Sequence, residues 1–249
     1  MLHIILNGCF GRMGQEIQEE INQNKELTIV AGIDRTQQEA DFPVYQTLAD
    51  VTEAADVVID FSHDNSVATL VDQCVQKKLA IVIATTGLSE NTKQQIDKAS
   101  QMVPIFYSAN MSLGVNVLIE ALQKITPALE EDFDIEIVEK HHNQKKDAPS
   151  GTALLLADSI NAAAEEKKDY ILGRSGQENA RSKNEIGIHA VRGGTIPGEH
   201  AVLYAGKDEM IELKHTALSR RIFANGALKA GEFLKDKKPG LYSMSDLLK

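Results

Sequence analysis

Tryptophan is absent from the chain, aromatic residues make up only 5% of it, and cysteine occurs twice in 249 residues. Cys9 and Cys74 lie far apart and show no metal-ligand spacing, which argues against a disulfide framework and against a bound metal. A chain of this length buries most of the surface its unfolded form exposes and needs neither staple. A reducing cytosol, hence a cytoplasmic location, is the natural compartment. No apolar run is long enough to span a membrane, and Met1-Leu-His-Ile-Ile-Leu-Asn lacks the basic leader of a signal peptide. Positive charge is in the minority: 26 Lys and Arg face 36 Asp and Glu, a formal net charge of −10. That balance argues against nucleic acid as a partner, which needs a basic surface. A small anionic ligand stays open, because a local basic pocket focuses its own field inside an acidic protein.

What is present is ordinary for a globular protein, with 43% hydrophobic and 25% charged residues. Short apolar runs at Leu2–Leu6, Leu27–Ile33, Val57–Ile59, Ile81–Ile83 and Ile105–Tyr107 read as strands. Between them lie helical stripes, Met13, Ile17 and Ile21 in one and Val67, Leu70, Val71, Cys74 and Val75 in another, and a polar helix led by Ser89. Apolar strands alternating with amphipathic helices predict a parallel sheet covered on both faces. Such sheets bind ligands at the strands' carboxyl ends, here marked by Gly8, Asp34, Asp60, Thr85-Thr86 and Ser108-Ala109-Asn110. Near residue 112 the pattern changes. A helix carrying Leu118, Leu122, Ile125 and Leu129 leads into Phe133-Asp-Ile-Glu-Ile-Val, whose alternation predicts a sheet with one wet or differently covered face. Further strands are expected at Ile186–Arg192, Ala201–Ala205 and Met210–His215, a polar linker from Gly173 to Glu185, and a last helix from Ile222 to Leu234. This half reads as α+β.

Gly8-Cys-Phe-Gly11-Arg12-Met13-Gly14 falls between the first strand and the first helix. Glycines there let the backbone turn sharply and approach a pyrophosphate, whose charge the free amides of the helix start then bind. The spacing is G-x-x-G-x-x-G, and a glycine triplet alone is weak evidence. The preceding strand, the following helix and an acid at the end of strand two supply its context. Asp34 is placed to accept hydrogen bonds from ribose hydroxyls, which favours NAD, whereas Arg35 beside it suits a 2′-phosphate, which favours NADP. NADPH, NADH or both are therefore expected. Arg12 either reaches a phosphate or lies on an exposed first turn. Thr85-Thr86-Gly87 and Ser108-Ala109-Asn110-Met111 either line the nicotinamide half of the cleft or are ordinary turns.

The segment Glu139-Lys-His141-His142-Asn-Gln-Lys145-Lys-Asp-Ala-Pro-Ser150-Gly151-Thr152 concentrates five residues able to carry positive charge, two adjacent histidines among them. It turns into a helix for which Ser150 is a good N-cap. Cations beside a helix N-terminus make a carboxylate site, and histidine exchanges protons near neutrality. Zinc is the rival reading, but no third ligand stands at a recognised spacing.

These motifs resemble those of the 4-hydroxy-tetrahydrodipicolinate reductase (dihydrodipicolinate reductase) family. The resemblance also covers Ala84-Thr-Thr-Gly87, Val191-Arg192-Gly-Gly, Gly198-Glu199-His200 and the run from His215 to Ala227, collinear over nearly the whole chain. The His-His-x-x-Lys-x-Asp-Ala-Pro-Ser-Gly-Thr string is the specific part. The resemblance implies an α/β protein. A Rossmann-type domain, residues 1–111 completed by 220–249, joins an α+β substrate-binding and oligomerisation domain with a mixed sheet, residues 112–219, with hinges near 109–115 and 215–222. It implies NAD(P)H-dependent reduction of a small cyclic dicarboxylate in lysine and diaminopimelate biosynthesis by a homotetramer. His141 is then the general acid/base and Lys145 its cationic partner. His142, Gly151 and Thr152 hold substrate. Gly8, Cys9, Phe10, Gly11, Arg12, Met13, Asp34, Arg35, Ala84, Thr85, Thr86, Ser108, Ala109, Asn110 and Met111 contact the cofactor. Asp34 stands where some members have glutamate, and Met111 where some have phenylalanine. A two-domain dehydrogenase of sugars or amino acids would share the glycine loop without the His-His string, and a dinucleotide sensor would need a partner or DNA-binding module that is not visible.

Overall fold

Strands whose residues are apolar on both sides belong between two layers of helices, and the first half of the chain folds that way. The computed structural model describes residues 1–36, 38–177 and 180–249 and divides into two units, Met1–Leu113 with Arg220–Lys249, and Gly114–Ser219. In the first unit, strands β1 (Leu2–Asn7), β2 (Leu27–Ile33), β3 (Val44–Tyr45), β4 (Val57–Asp60), β5 (Ala80–Ile83) and β6 (Pro104–Tyr107) form a parallel sheet. Strand β12 (Gly240–Tyr242) closes one edge, giving the order β12-β6-β5-β4-β1-β2-β3. Order reverses at β1, the switch point where such sheets bind ligands.

Two apolar layers sandwich this sheet. Helix α1 (Arg12–Ile21) and helix α6 (Arg221–Leu234) contribute Ile17, Ile21, Ala224 and Leu234 to one side, against Leu2, Ile4, Leu6 and Val57. Helices α2 (Asp64–Lys77) and α3 (Glu90–Ser100) contribute Val67, Val71, Cys74 and Ile96 to the other, against Ile5, Val58, Ile81 and Ile105. Burying such side chains contributes about 1.5–3 kcal/mol each. The Ser89 hydroxyl caps α3 by accepting from the Thr92 amide at 3.2 Å.

In the second unit, α4 (Leu113–Leu129), which starts at the boundary, leads to β7 (Asp134–His141). Helix α5 (Gly151–Ala163) then precedes β8 (Asp169–Leu172), β9 (Glu185–Arg192), β10 (Gly198–Ala205) and β11 (Met210–Ala217). The sheet order is β11-β10-β7-β9-β8, parallel around β7-β9-β8 and antiparallel through β10 and β11. Alternation along β7 sends Ile135 and Ile137 into a core with Leu122, Leu156, Ile160 and Tyr204. The opposite face carries charge: Glu136 meets His189, Arg174 and Arg181, and Glu199 bridges Lys140 and Lys214.

Three short strands carry no pattern that the sequence reveals. Strand β3 has two residues, and β8 and β12 follow charged stretches. The expected linker from Gly173 to Glu185 is instead fastened to the sheet. Arg174 pairs with Glu136 and Glu185, Arg181 pairs with Asp134 and Glu136, and Glu185 opens β9. Positions 178 and 179 of that stretch lie outside the described residues. Among the described residues no helix is long and apolar enough to cross a membrane.

Candidate active site

The glycine loop is built by steric necessity. Gly8 has φ +79°, and a Cβ there would sit 2.8 Å from the Phe61 carbonyl oxygen. At Gly14 a Cβ would lie 2.3 and 2.4 Å from the Gly8 and Cys9 carbonyl oxygens, so helix α1 packs against its own loop only with glycine there. The Phe10 amide donates to Asp34 Oδ2 at 3.1 Å, and the Thr36 amide and hydroxyl donate to Asp34 Oδ1 at 3.1 and 3.0 Å. Partial burial pushes the Asp34 carboxyl up, but these donors outweigh it and hold it below the ordinary aspartate value. Asp34 thus braces the loop as an anion.

A cleft of about 370 Å³ opens at this loop. Gly8, Phe10, Gly11, Asp34 and Arg35, all expected cofactor contacts, line it. Gln38, Gln46, Ser62, His63 and Ser66 also line it; nothing in their spacing singles them out. Cys9 lies beneath the loop, fully buried. Burial, then the Asp34 charge, pushes its thiol up to about 11; its main chain is what the loop can present. Arg12 is exposed and Met13 partly buried against the core. Loop conformation, helix N-terminus, cleft volume and acid all fit a dinucleotide.

The other expected contacts do not line this cleft. Ala84 and Thr85 are buried and Thr86 is exposed. The Thr85 hydroxyl donates inward to Asp60 Oδ2 at 2.7 Å, and Asn7 Nδ2 donates to Asp60 Oδ1 at 2.6 Å. The Ser62 amide donates to Thr85 Oγ1 at 3.0 Å. In the turn after β6, Ser108 Oγ donates to the Asn110 carbonyl and Asn110 Oδ1 accepts from the Ser112 amide. Ala109 is exposed, and Met111 is buried, its carbonyl where a Cβ on Gly226 would fall.

In the second unit, the face of β7 that carries Ile135 and Ile137 continues as Glu139 and His141. Register places His200 opposite Glu139 and Arg192 opposite His141. Adjacent strands thus bring four polar side chains together where the apolar face ends. Glu139, fully buried, takes hydrogen bonds at both oxygens. Its Oε2 receives His141 Nδ1 at 2.6 Å and Arg192 Nη1 at 2.7 Å; its Oε1 receives Arg192 Nη2 at 2.7 Å and the Ser150 amide at 3.0 Å. Burial pushes this carboxyl up, but Arg192, His141 and the Ser150 amide outweigh it and leave it below the ordinary glutamate value. Arg192 Nη2 also donates to the Asp147 carbonyl at 2.7 Å, while its Nε is the buried side-chain polar atom without a partner among the described residues.

The His141 and His200 rings meet edge to face, centroids 5.1 Å apart. Burial, then the neighbouring His141, lowers His200 to about 4. A neutral His200 Nε2 accepts from Ser150 Oγ at 2.8 Å, while that hydroxyl oxygen accepts from the Ala153 amide and caps α5. Lys145, a fifth exposed, pairs with Asp147 at 2.9 Å, and the Lys145 cation holds the Asp147 carboxyl below its usual range. His142 and Thr152 are half-buried and Gly151 is exposed on the first turn of α5. The structure therefore gathers His141, His142, Lys145, Gly151 and Thr152 on one strand-loop-helix segment. Glu139, Arg192 and His200 complete it. They were legible as residues of matching motifs, but not as partners. No group of three or more His, Cys, Asp or Glu able to hold a metal occurs among the described residues.

Comparison with known proteins covers both units. The family model described as dihydrodipicolinate reductase, N-terminus, matches residues 2–111, and that described as dihydrodipicolinate reductase, C-terminus, matches 114–248. A protein of Caldanaerobacter subterraneus subsp. tengcongensis named 4-hydroxy-tetrahydrodipicolinate reductase is 53% identical over 249 residues, covering 100% of this chain and 99% of its own. One from Clostridium tetani with the same name is 50% identical, covering 100% and 97%. The dipicolinate-bound dihydrodipicolinate reductase from Paenisporosarcina sp. TG-14 shares the fold, with TM-score 0.83 at 24% identity over 98% of this chain and 97% of that one.

Proposed function

The chain belongs to the dihydrodipicolinate reductase family, and on that premise we propose that it reduces 4-hydroxy-tetrahydrodipicolinate to tetrahydrodipicolinate in lysine and diaminopimelate biosynthesis, using NADPH or NADH. The observation that carries this reading is the cationic segment from His141 to Thr152, placed at a helix N-terminus in an otherwise acidic protein. A ring with two carboxylates needs such a site, and dipicolinate, a flat ring dicarboxylate, occupies the Paenisporosarcina enzyme of the same fold.

Loss of water from the substrate leaves a conjugated imine, which takes up a hydride at ring carbon four and a proton. The nicotinamide, when bound, supplies the hydride. The glycine loop and the amides at the start of α1 hold the pyrophosphate, Asp34 accepts from ribose, and Arg35 pairs with a 2′-phosphate where one is present. Ala84 to Thr86 and Ser108 to Met111 border the far end of the dinucleotide. His142 and the first turn of α5 at Gly151 and Thr152 grip the carboxylates. Lys145 offsets the electron density that hydride delivery puts on the ring, and His141 donates the proton.

The assembly is a homotetramer formed through the second unit's sheet, a reading supported by the exposed Val191, Met210 and Ile211 on β9 and β11. Light scattering of the purified protein tests it. The free thiols of Cys9 and Cys74 suit the cytoplasm.

The direct test is absorbance at the nicotinamide band with substrate generated in situ. Substrate-dependent loss of NADPH or NADH is expected; cofactor binding with no oxidation would overturn the activity. Lys145→Ala should lower turnover by about 100-fold or more while cofactor affinity is nearly kept, and equal turnover would remove Lys145 from the mechanism.

A further inference from the structure

Glu139 has no role in the chemistry above, yet it is the most fully engaged side chain of the segment. A carboxylate offers about four acceptor positions, and here all are filled: two by Arg192, one by His141 Nδ1 and one by the Ser150 amide. The paired geometry with Arg192 is bidentate, the strongest form of such contacts. The same guanidinium reaches the Asp147 carbonyl, in the loop that carries Lys145. Glu139 is therefore fixed in place, with its acceptor positions taken by the protein itself.

We propose that Glu139, clamped by Arg192, is the positioning residue for His141: it holds Nδ1 protonated and the ring turned, so that Nε2 is the nitrogen that exchanges the proton with substrate. The inference rests on the reading of His141 as the acid/base. His141 is 8% exposed, and among the described residues its Nε2 has no hydrogen-bond partner. A Cβ at residue 198 would lie 3.1 Å from Nε2, so Gly198 leaves the room this edge of the ring needs. The charged and titratable groups on the strands beside the ring are Glu139 on β7, Arg192 on β9, and His200 on β10 with His215 opposite it on β11; Lys145 and Asp147 pair with each other in the following loop. Of these, the Glu139 carboxylate alone bonds to the ring. An anion at Nδ1 stabilises the protonated imidazole and selects the tautomer of the neutral one, as a buried carboxylate does for a catalytic histidine elsewhere.

The test uses the full-length chain. Glu139→Gln should lower kcat by about 100-fold, leave the cofactor KM within about threefold, and move the alkaline limb of the kcat profile to lower pH by about one unit. A merely structural pair would lower stability without moving that limb, and an unmoved limb with near-normal kcat overturns the proposal. If Glu139→Gln does not fold, nitrogen-15 spectra of the histidines in the unsubstituted protein decide. The His141 signals, identified by their loss in His141→Asn, should show the neutral ring protonated at Nδ1; a neutral ring protonated at Nε2 overturns the proposal. Full activity in His141→Asn would instead sink the acid/base reading itself, so the two failures are distinct.

Discussion

Each unit buries a carboxyl group at the end of a strand that serves a site, and the two are treated in opposite ways. In the first, Asp60 is fully buried and accepts from Asn7 and Thr85, neither of which carries charge. Burial pushes its carboxyl up, against the opposing hydrogen bonds from Ser62, Thr85 and Asn7. Asp60 thereby ties together the carboxyl ends of β1, β4 and β5. In the second, Glu139 is as deeply buried but faces a guanidinium, an imidazole and an amide, and is held below its ordinary value. The difference teaches that burial alone does not decide which way a carboxyl group shifts; the charge of its donors does. A rim that positions loops holds its buried carboxyl with uncharged donors alone, whereas the proposed proton-transfer site sets a guanidinium against its own.

Matching amide substitutions break or sharpen this contrast. Glu139→Gln leaves the Arg192 guanidinium without its counter-charge and should cost about 3 kcal/mol of stability at pH 7. Asp60→Asn removes no ion pair but turns an amide NH2 toward a buried donor, and should cost about 1–2 kcal/mol, less than Glu139→Gln. Urea denaturation of both measures the gap; equal losses would mean that the two carboxyls are not treated differently.

His200 extends the contrast to a base. Its value in the folded protein, about 4, lies below the ordinary 6.5, so between these values the unfolded chain binds the extra proton. Stability linked to His200 is therefore full above pH 6.5 and is lost as pH falls toward 4. The parent should lose about 2 kcal/mol more than His200→Gln between pH 7 and pH 5, read from denaturation midpoints at both values. Parallel losses would show that His200 titrates normally. A further effect belongs to the first unit's exposed rim. Arg35→Ala should weaken NADPH by about tenfold, about 1.4 kcal/mol, and leave NADH unchanged, as fluorescence titration would show. Equal weakening of both would remove Arg35 from 2′-phosphate recognition.

Much of this was legible in the residues because it is local. Apolar runs such as Leu2–Leu6 and Leu27–Ile33 are strands, the stripe of Ile17 and Ile21 is a helix face, and Ser89 and Ser150 cap the helices they precede. The loop from Gly8 to Gly14 and the segment from His141 to Thr152 are likewise contiguous. What escaped is non-local or too short. Strand β3 forms because β2 offers an edge, which two residues cannot signal. Arg174 and Arg181 look like linker residues until the sheet brings Glu136 to them. Glu139 and Arg192 are 53 positions apart and meet through the β7-β9 pairing. His200 arrives from β10 on the other side. No spacing rule links residues whose contact is made by strand register.

The claim at the centre is that the loop after β7 reads a doubly anionic ring. Calorimetric titration of dipicolinate into the cofactor-loaded protein tests it most directly, alongside pyridine-2-carboxylate, which lacks one carboxylate, and the variants His142→Ala and Lys145→Ala. Dipicolinate should bind the parent at least about tenfold more tightly than the monocarboxylate, and each variant should lose about tenfold or more. Equal affinity for both acids, or unchanged dipicolinate binding in both variants, would contradict it.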